Sequence, residues 1–127
     1  MSQSEYIYKQ HEENLEWANK LDFYKDEIYI LQSRLEEIAE KNNQKEVLAF
    51  IEQFQNRLII HRNTIDEIQH KITISEDQLQ EEINRNPVAS DHRKAAYHEA
   101  EKEEVEVFEK VFKELREEFK RFAAKWM

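Results

Sequence analysis

The chain has 127 residues, 28 of them acidic and 19 basic, for a net charge of −9, with no Cys, no Gly and a single Pro. That acidity disfavours nonspecific nucleic-acid binding, which relies on Lys and Arg displacing counterions from phosphates, and the lack of Cys removes disulfides, thiolate metal sites and Cys nucleophiles together. Without glycine, tight hairpin turns lose the residue that most readily takes positive φ. Glu, Lys, Gln, Leu, Ile and Arg dominate instead, and the class read from them is all-α.

The opening stretch MSQSEYIYKQHEENLEW carries no basic segment followed by an apolar one, and no run approaches the ~18–20 apolar residues of a membrane-spanning helix. A cytoplasmic protein is expected. Ser2 and Glu5 have capping-box spacing at the start of a first helix. Within it Ile7, Leu21, Ile28 and Leu35 fall on one heptad row, with Trp17, Tyr24, Leu31 and Ile38 three residues on. The pattern predicts a helix over about 3–41. It breaks at Glu40-Lys41-Asn42-Asn43-Gln44, where Asn is the residue expected to take the left-handed conformation that ends a helix.

A second helix is predicted over about 45–85. Ile51, Leu58, Ile65, Ile72 and Leu79 form one row, Val47, Phe54, His61 and Ile68 the other, and Ile83 continues the stripe. The β-branched run Ile72-Thr73-Ile74 precedes Ser75-Glu76-Asp77-Gln78, itself a capping-box pattern, so a kink or restart near Thr73–Ser75 competes with one continuous helix. Continuity of the stripe favours one helix. Pro87 disfavours helical geometry at Asn86, and Ser90 or Asp91 is placed to cap a third helix over about 91–126. Its apolar face carries Tyr97, Val105, Phe108, Val111, Phe112, Leu115, Phe119, Phe122 and Trp126. Short connections make consecutive helices antiparallel, so residues 1–127 are read as one domain: three long antiparallel helices in an up-down-up, coiled-coil-like bundle.

One polar residue lies in the middle of the apolar rows, His61. If the first turn centres near Asn43, His61 comes level with Asp26 and Glu27, near Tyr24, and around the second connection it comes level with Arg116. Tyr24, Glu27, His61 and Arg116, with Glu118 beside them, form a candidate buried polar cluster. A buried imidazole must satisfy its ring nitrogens, and a carboxylate or phenol one helix away does so, so a hydrogen-bonded core histidine is the expectation. A ligand- or metal-binding bundle built around the same residues is the alternative.

Catalytic motifs are missing: phosphate-cradling loops and nucleophile elbows both need glycine. The one Glu-x-x-His pair, Glu67 with His70, lies off the apolar rows, and pairs such as His98 with Glu101 arise by chance in a sequence this acidic. No catalytic residue, metal ligand or cofactor is assigned. Basic residues of the last helix sit among Glu114, Glu117 and Glu118, which argues against membrane binding. More telling is apolar surface beyond what the seam needs: Phe23, Tyr29 and Ile30 on the first helix, and Ile59, Ile60 and Ile74 on the second. Such patches mark association surfaces. The sequence therefore points to a non-enzymatic interaction or scaffold protein that pairs with itself as a homodimer, or with another helical protein.

Overall fold

The computed structural model describes the backbone of residues 3–85 and 92–127, and the side chains of 5–84 and 98–127. The capping box at Ser2, the break around Asn86–Pro87, the caps at Ser90 and Asp91, and the side chain of Tyr97 lie outside the described residues.

Three helices account for the fold: α1 (Gln3–Lys41), α2 (Lys45–Arg85) and α3 (His92–Trp126). They pack as an up-down-up bundle in which every pair touches, α1 with α2 most extensively. At ~1.5 Å per residue each is on the order of 50–60 Å long. Helices of this length and polarity owe most of their stability to burial of the apolar stripe rather than to propensity. The heptad rows form that stripe: Leu21, Ile28, Leu35 and Ile38 of α1 meet Val47, Leu58, Ile65 and Ile68 of α2, and Phe108, Phe112, Leu115 and Phe119 of α3 close the core.

The β-branched stretch of α2 leaves no break; the helix runs unbroken from Lys45 to Arg85. The Thr73 hydroxyl donates to the carbonyl of Gln69 at 3.0 Å, and so finds a partner inside the helix without ending it. Glu76 serves the tertiary structure instead of a cap, as shown below.

The first turn departs from expectation. No described residue has positive φ, so neither Asn42 nor Asn43 adopts the left-handed conformation. The Asn42 side-chain amide does the work, donating to the carbonyl of Ile38 at 2.9 Å and to that of Trp126 at 3.0 Å. One side chain thus satisfies a carbonyl at the end of α1 and another at the end of α3, both left without helical partners. That bond also pins the end of α3 beside the α1–α2 turn.

Two residues assigned to the apolar stripe are exposed. Val111 lies with Val107 on the flank of α3 that turns toward α2, one position off the line of Phe108, Phe112 and Leu115. Ile83 lies near the C-terminal end of α2.

Candidate functional site

The middle of the bundle holds the residues that the register points to. Lys25 pairs with Asp66 at 2.7 Å, and Gln69 donates to Asp22 at 2.8 Å, which places α1 against α2 within one turn of the expected register. Arg116 donates to Glu27 through two bonds, Nε to Oε1 at 2.7 Å and Nη2 to Oε2 at 2.5 Å. Its guanidinium also lies over the rings of Tyr24 and Phe112, 6.0 and 5.3 Å from their centroids. Burial, with the Glu109 carboxylate nearby, pushes the Tyr24 hydroxyl above its usual pKa.

Tyr24, Glu27 and Arg116 therefore come together, and His61 does not join their hydrogen bonds. Its ring sits edge-on to Phe108 and Phe112, at 5.6 and 5.8 Å. Tyr24 packs edge-on against the same two rings. Burial, followed by the nearby Arg57 charge, lowers the His61 pKa. It is a neutral, aromatic-packed imidazole, not one held by a carboxylate or phenol. Glu118 turns away to Arg57, at 2.5 Å. Glu67 and His70 are both exposed.

A second polar layer, which the sequence reading passed over, lies at the other end of the bundle. Its members are Gln10 and Asn14 of α1, Glu76 of α2, and His98 and Glu101 of α3. Asn14, His98 and Glu101 are 2%, 4% and 1% exposed. The Asn14 amide donates to Glu76 at 2.9 Å, and Glu76 also contacts His11. Burial pushes the Glu76 carboxyl up, but hydrogen bonds from Asn14, Gln80 and His11 outweigh it and hold the pKa below the usual carboxylate range. His98 stacks on Trp17 with ring centroids 4.8 Å apart, and its Nε2 is 3.5 Å from Glu13.

Much of this layer is unsatisfied. Gln10 Nε2, Asn14 Oδ1, both ring nitrogens of His98 and both carboxyl oxygens of Glu101 are buried with no hydrogen-bond partner among the described residues. Native interiors leave few such groups, and each calls for a reason. Burial lowers the His98 pKa despite Glu13. Burial, then repulsion from Glu104, raises that of Glu101 to about 7. The signal in the sequence was a gap: Gln10 and Asn14 occupy the two places where the heptad rows of α1 skip an apolar residue, and His98 and Glu101 extend the seam spacing of α3 backwards from Val105.

Among the described residues, two apolar grooves flank α3. One, of about 600 Å³ against α2, is lined by Ile60, Ile68, Phe108 and the exposed Val107 and Val111, with Glu103 and Glu104 beside them. The other, of about 670 Å³ against α1, is lined by Phe23, Ile30, Phe119 and Met127, with Arg34 and Lys120 at its edge. Phe23 and Ile60 are 65% and 61% exposed. Tyr29, Ile59 and Ile74 are exposed too, but line neither groove. Of the six residues singled out from the sequence, Ile60 thus lines one groove, and Phe23 and Ile30 the other.

Among the described residues no group of three or more His, Asp or Glu is arranged to hold a metal ion, and no helix is long and apolar enough to cross a membrane. Compared with protein-family models, curated proteins and solved structures, the chain matches none.

Proposed function

We propose that the chain is a non-enzymatic helical interaction protein that self-associates through the apolar flanks of α3. The observation that carries this reading is the pair of grooves, each with large apolar side chains left in water on a bundle whose core is already closed. Contiguous exposed apolar surface of this kind marks association.

A second copy of the chain is the occupant that the charges favour. Glu103 and Glu104, the latter also paired with Lys71, edge one groove, while the other is lined by Arg34, Arg116 and Lys120 against Asp26 and Glu27, an excess of one positive charge. The acidic flank of one copy therefore complements the weakly basic flank of the next, whereas the acidic flank laid on itself by a two-fold axis opposes like charges. A homodimer is the smallest assembly of this kind. A ligand or metal reading centred on His61 has less to rest on, because that ring meets aromatic edges rather than carboxylates.

Light scattering on a size-exclusion column, over a concentration series, tests the proposal. Association that is lost in Ile30→Asp and in Ile60→Asp, with helicity unchanged, supports it. Glu103→Lys should weaken association, and adding Lys120→Glu to the same chain should restore it. A monomer at every concentration rejects self-association.

A further inference from the structure

We propose that the seam layer of Asn14, His98 and Glu101 is a proton-operated latch at the end of the bundle remote from the α1–α2 turn, closed while Glu101 carries a proton and loosened when that proton leaves. The geometry is that of facing seams. Lys71 pairs with Glu104 across α2 and α3, so on these antiparallel helices Glu76 comes level with about Glu99, within a turn of both His98 and Glu101. Asn14 bonds to that same Glu76. The orphaned groups of α1 and α3 therefore share one layer.

Among the described residues, the charged groups near the level of Glu101 do not compensate a negative charge there. From α1 come His11, already engaged with Glu76, and Glu13, drawn toward His98. From α2 come Glu76 and Lys71, and Lys71 binds both oxygens of Glu104 at 3.0 and 3.2 Å. From α3 itself come His98 and Glu104. Among the described residues, Glu104 opposes a negative charge on this carboxyl and Lys71, shared with Glu104, offsets it only in part, while the residue is 1% exposed. An isolated ionised carboxylate in such a place is strongly disfavoured.

A proton meets the need of this carboxyl directly. A neutral carboxyl gains one O–H donor, and Asn14 Oδ1 and His98 Nδ1 have no hydrogen-bond partner among the described residues. Loss of the proton removes that donor and leaves a bare charge in the seam, so α1 and α3 part around Asn14 and Glu101 and admit water. The pKa of Glu101, raised to about 7 by burial and by Glu104, puts this change in the neutral range.

Amide hydrogen exchange on the full chain tests the latch, with rates corrected for the intrinsic effect of pH. Protection across residues 98–105 should fall about tenfold between pH 6 and pH 8, and Glu101→Gln should abolish that fall. A change due to His98 would come at lower pH, because its pKa is lowered, and would persist in Glu101→Gln. Should that variant fail to fold, the carboxyl carbon shift of Glu101 in the unaltered chain decides, with a midpoint near 7 expected. Protection that is level from pH 6 to 8, a fall of equal size in Glu101→Gln, or a Glu101 midpoint grouped with exposed glutamates would each overturn the proposal.

Discussion

Arg116 holds Glu27 by two parallel hydrogen bonds across the α1–α3 contact, with both side chains 22% exposed. Bidentate geometry makes such a pair stronger than a single contact, and stacking on Tyr24 and Phe112 adds to what the guanidinium supplies. Its partial exposure leaves it weakened by water and salt. Arg116→Ala should lower stability by about 1–2 kcal/mol in urea titration, Arg116→Lys should recover only part of it, and the loss should shrink at high salt. A loss unchanged by salt would mean that packing, not charge, is what Arg116 contributes.

Phe112 is the hub of the aromatic centre. It is fully buried and touches Tyr24, His61 and Phe108 through their rings. Phe112→Ala opens a cavity among residues that cannot all relax into it, and a loss of about 3–5 kcal/mol is expected by chemical denaturation. Val111→Ala, next to it in sequence but exposed, should change stability by less than about 1 kcal/mol. The contrast between neighbours checks the azimuth of α3.

Glu76 links three helical positions through Asn14, His11 and Gln80. Its folded-state pKa is depressed, so its ionised form contributes stability above the ordinary carboxylate pKa, and that contribution is lost as pH falls through the folded value. Urea midpoints compared between pH 6 and pH 3 should therefore show a shallower acid loss in Glu76→Gln than in the parent. Equal slopes would show that these bonds do not favour the charged form.

His61 has the opposite charge type with the same direction of shift. Its lowered pKa means that protonation is easier in the unfolded chain, so stability is lost as pH falls below about 6.5. His61→Leu should lie within about 1 kcal/mol of the parent at pH 8 and gain on it at pH 5. Thermal melts at the two values measure this. Loss of fold in His61→Leu at pH 8 would reveal a polar role for the ring.

The fold was legible because its cause is local. A chain without glycine, with apolar residues repeating at seven and at three or four, has few ways to bury them except as long helices against one another, and Asn42–Gln44 is where that repeat stops. The candidate sites were less legible. Arg116, Glu27 and Tyr24 could be placed together because antiparallel register is set by loop position to within a turn. His61 could be placed on the seam, but not among its neighbours.

The sequence by itself determined the helical class, the number of helices and most of the seam. Only the tertiary structure decided what each polar seam residue met: aromatic edges for His61, a caught carboxylate for Asn14, no partner among the described residues for Glu101, and the end of α3 for Asn42. It likewise set Ile30 and Ile60 in different grooves. The physical reason is that periodicity states which face of a helix is apolar, whereas a hydrogen bond or an exposed patch depends on the azimuth and axial level of the neighbouring helix. Those are fixed jointly by the packing of Phe108, Phe112 and Phe119 into the α1–α2 seam, and no single segment contains them.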